Sequence, residues 1–237
     1  MAQAIYREWF VNFRFPGHEK VKMVKSELGM IPEGWEVKRI SDFGEVVTGK
    51  TPSKKKPEYY NDNYMPFIKT PDMHDNMFVL QTGECLSQEG AFSQKNKTLP
   101  SDSICVSCIG TVGIVSIISH PSQTNQQINS IVLKNKNKRE FLYFTLKDLR
   151  ETIKKYGSTG ATMTNLNKGK FENLKIICPD ESIINSYHDK VRAMFDNIRT
   201  LLMKNNNLRK TRDLLLPKLI SGEIDVERMD INTEVIR

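Results

Sequence analysis

Residues 44–51 read GEVVTGKT and match every position of the pattern G-x-x-x-x-G-K-[ST], which is typical of a nucleotide-binding phosphate loop. In such a loop, backbone amides and the N-terminus of the following helix bind the phosphates, and the lysine contacts them. The chemistry that this pattern indicates is the binding and hydrolysis of a nucleoside triphosphate. A P-loop NTPase is therefore the first function to weigh.

The segments on either side of this motif do not fit a phosphate loop, which needs a buried apolar strand before it and a helix directly after it. The preceding segment, EVKRISDF, alternates polar and apolar residues and predicts a half-exposed strand. The following segment, PSKKKPEYYND, contains two prolines and three consecutive lysines and predicts a loop. A strand that ends in a magnesium-binding acid is also missing, because Pro179 interrupts the run KIICPD. We expect no nucleotide hydrolysis.

The same lysine-rich segment suits a different ligand. Cationic and hydroxyl side chains in a flexible loop are the mixture that contacts DNA phosphates and groove edges. The candidate DNA-contacting residues are Lys50, Thr51, Lys54, Lys55 and Lys56, together with Lys69 and, from the polar glycine-bearing segment 157–170, Thr162 and Lys168. The alternative is a solvated lysine-rich loop without a partner.

A cluster of amides, TNQQINS, begins at residue 124. It contains Asn125, Gln126, Gln127 and Asn129, and the amides of Asn and Gln are the side chains that pair bidentately with adenine. Amides that cap strand ends are the alternative, and we favour that structural role here.

No arrangement of acidic, histidine, serine or cysteine residues demands catalysis, and we predict no catalytic residue, no metal site and no cofactor. The four cysteines are irregularly spaced, and Cys105 and Cys108 lie in an apolar, strand-like run, SICVSCIG. They are predicted to be buried, inert thiols rather than a zinc or redox pair. The four histidines show no metal-ligand spacing.

The net charge of +7 favours an anionic partner. Lysines crowd in three places, near residues 50–56, 134–139 and 168–175, whereas the last residues are mainly acidic. No run approaches the roughly 20 apolar residues that a membrane-spanning helix needs, and the N-terminus lacks the features of a secretory signal. The expected location is the cytoplasm, without membrane contact.

The elements that must position these residues divide the chain into four parts. Residues 1–25 form a short helix and a linker, 26–180 a strand-rich globular domain, 181–220 a long helix, and 221–237 an acidic tail. The strand candidates are WEVKRISDF, MPFIKT, DSICVSCIG, GIVSII, NSIVLK and LKIIC, and the helix candidate among them is FLYFTLKDLRETIKKYG. The predicted fold class is α+β.

The long helix carries a heptad stripe. Residues that are apolar except for Asn205 and Arg212 recur in alternating steps of three and four from residue 184 to residue 215, and Pro217 and Gly222 are expected to interrupt the helix. Asn205 occupies an a position, where a buried amide typically fixes register and orientation. The residues expected to contact a partner helix are Val191, Ile198, Leu201, Asn205 and Leu208. The alternative is a helix that packs on its own domain.

The N-terminal segment AQAIYREWFVNF predicts a short helix. Ile5, Trp9 and Phe13 recur every four residues beside Tyr6 and Phe10, which gives the helix a broad aromatic face. A helix of about twelve residues is not stable alone in water, so this face must pack against another element.

Read in order, these segments resemble the specificity subunit of type I restriction–modification systems. The resemblance is carried by MAQAIYREWFVNFRFPGHE, IPEGWEVKRISDFGEVVTGKTPS, PFIKTPDM, LPSDSICVSCIGTVGIV, TNQQINSIV and LRKTRDLLLPKLISGEI. It implies two target-recognition domains in a full-length member, each followed by a long helix, and an antiparallel coiled coil between those helices. Each domain reads one half of a split duplex DNA target. Methyl transfer is left to modification (methyltransferase) subunits that the helices hold, and cleavage to the restriction subunit.

The chain departs from that plan because it holds one recognition domain. It is either a natural half-subunit or a fragment of a longer protein. In both cases we expect a homodimer through residues 184–215, which would read a symmetric, interrupted target with half-sites roughly 10 bp apart. The alternatives to this DNA-recognition function are the P-loop NTPase and a coiled-coil structural protein that does not bind DNA.

Overall fold

The computed structural model describes residues 1–60, 63–157 and 165–224, and Thr162 therefore lies outside the described residues. The chain divides into two units, Met1–Phe195 and Asp196–Arg237. The strands of the described residues belong to the first unit. They are β1 Met23–Ser26, β2 Gly29–Pro32, β3 Glu36–Arg39, β4 Gly44–Thr48, β5 Met65–Ile68, β6 Phe78–Val79, β7 Cys85–Leu86, β8 Ile104–Ser107, β9 Val115–Ile118, β10 Gln123–Thr124, β11 Ile128–Leu133 and β12 Lys175–Cys178.

The helices are short, apart from the last one. They are α1 Ala2–Tyr6, α2 Ile40–Phe43, α3 Thr70–Met73, α4 Gln88–Phe92, α5 Arg139–Asp148, α6 Arg150–Gly157, α7 Lys168–Glu172 and α8 Glu181–Ile220. A π-helical turn, Arg7–Val11, continues α1. Among the residues described, no helix combines the length and the apolar character that crossing a membrane requires.

Five strands form the central sheet, in the order β4-β11-β8-β9-β6. β11 is antiparallel to β4 and to β8, β9 is antiparallel to β8, and β6 is parallel to β9. Strands β4 and β8 therefore end at the same edge of the sheet at which β11, β9 and β6 begin. We call this the loop edge, because the connections between these strands lie side by side along it. The other end of the strands is called the opposite edge.

Smaller sheets complete the first unit. β10, β5 and β7 form a three-stranded sheet, and β1 with β2 and β12 with β3 form two-stranded pairs. β10 leads into β11 through residues 125–127, so the chain passes from the three-stranded sheet directly to the loop edge of the central sheet.

Helix α5 crosses the central sheet and packs on β8 and β9. At the opposite edge, Arg139 at its start contacts Asp102, with 2.5 Å between Nη1 and Oδ1. At the loop edge, Arg150 lies against Gly113, where an added Cβ would come within 2.6 Å of the arginine Cγ. Helix α5 therefore runs from the opposite edge to the loop edge.

The aromatic face of the N-terminal helix is buried, as predicted. Tyr6, Trp9 and Phe10 are nearly inaccessible to solvent. The Phe10 ring lies 4.9 Å from the ring of Phe141 in α5 and 5.0 Å from that of Tyr187 in α8, measured between centroids. The helix thus packs on its own domain. Phe13 was expected on the same face, but it lies beyond the helical turn with a φ of 57°.

The long C-terminal helix is confirmed as α8. Its first turns bury Ile184, Tyr187, Val191 and Phe195 within the first unit. The assignment of Val191 to the partner face is therefore wrong, since its side chain has 0% exposure inside its own domain. A heptad stripe marks an apolar face but does not say which neighbour covers it.

The remainder of α8 belongs to the second unit and carries exposed apolar side chains. Leu201 is 59% exposed and Leu208 is 67% exposed. Pro217 lies inside the helix rather than ending it, and the Ser221 amide still donates a hydrogen bond to the Pro217 carbonyl at 2.9 Å. Gly222, with a φ of 72°, follows the end of the helix.

The α+β class is confirmed, with two local differences from the predicted elements. WEVKRISDF is not one strand, because the Asp42 carboxylate accepts a hydrogen bond from the Arg39 amide at 2.8 Å and starts the helical turn α2. The single helix predicted from residue 141 to residue 157 is two helices, α5 and α6, which meet at Leu149.

Candidate nucleic-acid interface

The phosphate-loop pattern does not form a phosphate loop. Its first residues are strand β4, which pairs antiparallel with β11 at the end of the central sheet. The amide of Gly49 donates to the carbonyl of Ile128 at 3.0 Å, and that of Lys50 donates to the carbonyl of Thr124 at 2.9 Å. These amides are not available to a phosphate. No α-helix follows within the described residues before α3, and only a short 3-10 turn, Pro57–Tyr59, intervenes.

Close packing explains both glycines of the pattern. A Cβ on Gly44 would lie 2.2 Å from the carbonyl oxygen of Val132, and one on Gly49 would lie 2.0 Å from that of Asn125. Both distances are far shorter than any van der Waals contact, so only glycine lets β4 approach these neighbours. The match to the nucleotide-binding pattern therefore comes from sheet packing.

Lys50 and Thr51 follow β4 at the loop edge and contact the turn before β11. The Thr51 hydroxyl donates a hydrogen bond to Oε1 of Gln126 at 2.5 Å, and both residues remain accessible. Lys50 and Lys55 are exposed, and neither forms an ion pair with any residue that the structure describes. The loop edge thus presents the exposed Lys50 ammonium beside a hydroxyl and an amide.

Lys54 and Lys69 converge on one carboxylate, Glu84. Lys54 Nζ lies 2.7 Å from Oε1 of Glu84, and Lys69 Nζ contacts Oε2. Partial burial alone would raise the pKa of Glu84, but the hydrogen bonds from the two lysines outweigh that effect and hold the pKa below its ordinary value. Two cations share one anion, which leaves a net positive charge at this point.

Sequence reasoning missed Glu84 because nothing in its local sequence marks it. It is 30 positions from Lys54 and becomes its neighbour only through strand pairing. Lys56 is held differently, since its Nζ donates to the hydroxyl of Tyr59 at 3.0 Å and lies 4.8 Å from the centre of that ring.

Most amides of the TNQQINS segment have structural roles. Asn129 is buried, donates to the carbonyl of Leu166 at 3.1 Å and accepts from the hydroxyl of Thr48 at 2.6 Å. Gln127 accepts from Asn125 at 3.1 Å across the turn. Gln126 is the exposed amide of this segment.

Lys168 is placed beside the loop edge by the residues before it. The Leu166 amide donates to the carbonyl of Cys108 at 2.9 Å, directly after β8. Lys168 begins α7, with its ammonium 3.4 Å from the carboxylate of Glu172 and with a side chain that is 51% exposed. The structure therefore brings Lys50, Thr51 and Lys168 to one edge.

The cysteines lie in the interior, apart from the partly exposed Cys85. Cys105 and Cys108 are buried, and burial raises the pKa of each thiol to about 12. Burial also raises the pKa of Cys178. Within the described residues, no group of histidine, cysteine and acidic side chains is arranged to hold a metal ion.

The second basic cluster, near residue 139, lies at the opposite edge and is largely paired. Arg139 donates to Oε1 of the fully buried Glu140 from Nε at 3.0 Å and from Nη2 at 2.6 Å. The other oxygen of Glu140 lies 2.7 Å from Nδ1 of His188 in α8. Lys138 pairs with Glu181. This network joins the start of α5 to the start of α8. Because its acids balance most of the positive charge there, the opposite edge presents less excess positive charge than the loop edge.

Several known proteins are similar to this chain in sequence or in fold. Residues 32–211 match the family described as type I restriction modification DNA specificity domain. The chain is 46% identical to the type I restriction enzyme HindI specificity subunit of Haemophilus influenzae, over 82% of this chain and 42% of that protein. It is 28% identical to the MjaIX specificity subunit of Methanocaldococcus jannaschii, over 97% of this chain and 53% of that protein.

A solved structure shares the fold. The S subunit of a type I restriction–modification system from M. genitalium matches with a TM-score of 0.55 and 16% identity, covering 79% of this chain and 46% of that one. The chain spans about half the length of the curated relatives it matches. The family match covers most of the chain and includes β3, the central sheet and much of α8. The chain belongs to the family of type I restriction–modification DNA specificity domains.

Proposed function

We propose that this chain is a DNA-recognition module of a type I restriction–modification complex and that it contacts duplex DNA through the loop edge. The observation that carries the proposal is the convergence of Lys50, Thr51 and Gln126 there, where an exposed ammonium group lies beside accessible hydroxyl and amide groups. The names of its relatives, which are specificity subunits, support the same function.

The two kinds of side chain have different tasks. Lys50 and Lys55, which form no ion pair with the residues that the structure describes, contact phosphates, and this gives affinity without sequence preference. Thr51 and Gln126 form a hydrogen-bonded pair whose remaining donors and acceptors face base edges. Lys54, Lys56, Lys69 and Lys168 contribute positive potential around this point, and Thr162 stays a candidate from the sequence alone.

The exposed part of α8 supplies a pairing surface. Leu201 and Leu208 are more than half exposed, although apolar side chains of this size favour burial. We infer that Ile198, Leu201, Asn205 and Leu208 pair with the same residues of a second copy and form a homodimer. A two-fold dimer would read a symmetric target that is interrupted by a spacer.

The chain itself carries out no chemical step in this proposal. Methyl transfer belongs to modification subunits that bind the complex, and cleavage belongs to a restriction subunit. We propose the cytoplasm as its location, because the DNA of bacteria and archaea, the sources of its relatives, lies there.

Electrophoretic mobility shifts of the full chain with random duplexes, at several salt concentrations, test the function. Phosphate contacts require that affinity falls as salt rises, with a slope of about −0.9 per contact in the double logarithmic plot. The variant with Lys50→Gln and Lys55→Gln should reduce that slope by about 2.

The rival functions predict other results. A chain that binds no duplex at any salt concentration is the coiled-coil structural protein. Binding of radiolabelled ATP that Lys50→Ala abolishes would identify a P-loop NTPase.

A further inference from the structure

A second pair of exposed cations lies at the end of α5. Lys147 and Arg150 are exposed, and neither forms an ion pair with an acid among the described residues. The Lys147 ammonium lies 5.6 Å from the centre of the Tyr143 ring, and the stem of Arg150 packs on Gly113. The Lys147 ammonium thus lies near an aromatic ring and the Arg150 stem lies against backbone, and both residues stay exposed.

These cations line a cleft of about 530 Å³. Its walls come from residues 73–77, which precede β6, from residues 113–115, which lead into β9, and from the end of α5. Asp75 contributes one carboxylate to the lining, so the two cations exceed the acids there. An anion entering the cleft would meet two charged donors.

The position of this cleft follows from the strand order. Residues 113–115 and 73–77 belong to the loop edge, because β9 begins there and β6 begins close by. Lys50 follows β4 at the other end of the same edge. Neighbouring strands are about 4.8 Å apart, so three spacings separate β4 from β9 by roughly 14 Å, and β6 lies roughly 19 Å away.

That separation suits a duplex. The major groove is about 12 Å wide, so two cationic points roughly 14–19 Å apart reach the phosphates of both backbones that flank it. Between them, the connection after β8 presents Gly110 and Thr111, both exposed, at the middle of the edge. A phosphate contact at each end would place this connection over the groove.

We propose that Lys147 and Arg150 form a second phosphate-contact point for duplex DNA, at the β6 end of the loop edge. The proposal rests on the proposed function, since it extends the same DNA interface. It also makes the interface two-ended: Lys50 and Lys55 hold one backbone, and the end of α5 holds the other.

The test compares three double variants of the full chain, all of which remove two positive charges. They are Lys147→Gln with Arg150→Gln, Lys50→Gln with Lys55→Gln, and, as the matched control, Lys134→Gln with Lys136→Gln at the opposite edge. Binding to a random duplex is measured against salt concentration, and thermal unfolding is measured for each variant. Glutamine keeps the Cβ and Cγ atoms with which Arg150 packs on Gly113.

The α5 pair should reduce the salt slope by about 2 relative to the control, because each phosphate contact contributes about 0.9. The reduction in slope should add to that caused by substituting Lys50 and Lys55, since the two contact points are distant from each other. This inference would be overturned if the Lys147 and Arg150 variant had the same salt slope as the control while the Lys50 and Lys55 variant had a reduced slope. That result would leave the proposed function standing. If Arg150→Gln lowers the thermal stability, the single variant Lys147→Gln replaces the double variant in the test. It should reduce the salt slope by about 1.

Discussion

The hydroxyl of Thr51 donates a hydrogen bond to the side-chain oxygen of Gln126 at 2.5 Å, across 75 positions of the sequence. This bond joins the segment after β4 to the turn before β11 and orients the exposed amide. The pair combines a residue from the lysine-rich loop with one from the amide cluster, which the sequence presents as separate segments.

Substitution Gln126→Ala should change sequence preference without changing the salt dependence of binding. A bidentate amide–adenine contact contributes about 1–3 kcal/mol of discrimination, so preference at one position should fall roughly 5- to 150-fold. Sequencing the bound fraction of a randomised duplex library measures this. Asn135→Ala is the control, since that amide caps a 3-10 turn at the opposite edge. An unchanged preference would remove Gln126 from base recognition.

The close approach of Gly49 to Asn125 predicts a large effect of a single methyl group. Gly49→Ala should destabilise the fold by about 1–3 kcal/mol, because the added carbon cannot be accommodated without moving backbone. The matched control is Gly169→Ala in α7, where the nearest atom to an added Cβ is 3.7 Å away. Urea unfolding compares the two. Equal stabilities would mean that Gly49 is not required by packing.

Pairing through α8 predicts different effects for two apolar residues of the same helix. Leu208→Asp should lower the dimer fraction in sedimentation velocity, because it places a charge on the apolar surface through which we expect two copies to pair. Val191→Ala should instead lower the free energy of unfolding by about 1–3 kcal/mol, because Val191 is buried in its own domain. A wild-type chain that stays monomeric at high concentration would contradict the homodimer.

The buried carboxylate of Glu140 should be essential for stability. It has 0% exposure and interacts with Arg139 and His188, so Glu140→Gln leaves a buried guanidinium without full compensation. The expected loss is about 3–5 kcal/mol in the free energy of unfolding. Glu172→Gln, which removes a partly exposed partner of Lys168, should cost less than about 1 kcal/mol. Similar losses for both variants would show that burial of the network is unimportant.

The buried thiols predict a loss of stability at alkaline pH. The folded chain keeps the Cys105 and Cys108 protons up to a pKa of about 12, whereas an unfolded chain releases them near the ordinary value of 9.0. Raising the pH from about 9 to about 12 therefore favours the unfolded state. Substituting Cys105→Ala should weaken this part of the pH dependence, measured by urea unfolding at several pH values.

Thiol reactivity checks the same burial in the native state. Cys85 is the partly exposed cysteine, so a thiol reagent at neutral pH should modify it first. Cys105 and Cys108 should react only upon unfolding. Rapid modification of all four cysteines in the folded chain would contradict the burial.

Local pattern was sufficient for much of the fold. The sequence runs predicted strands at β3, β5, β8, β9, β11 and β12, a helix at α5, and the long α8, because apolar periodicity depends on the geometry of each element alone. The aromatic spacing of the N-terminal segment likewise predicted a face that must be buried. The same reasoning placed a strand over residues 40–43, where a side-chain hydrogen bond from the Arg39 amide to Asp42 started a helical turn instead.

The sequence by itself therefore determined the type of the most regular elements, the α+β class, the positive charge and the resemblance to specificity subunits. Only the tertiary structure decided that Glu84 lies between Lys54 and Lys69, that Val191 packs inward while Leu208 stays exposed, and that the end of α5 reaches the loop edge. The physical reason is that periodicity states which face of an element is apolar or charged. Strand order and register, which join residues far apart in the chain, decide what that face meets.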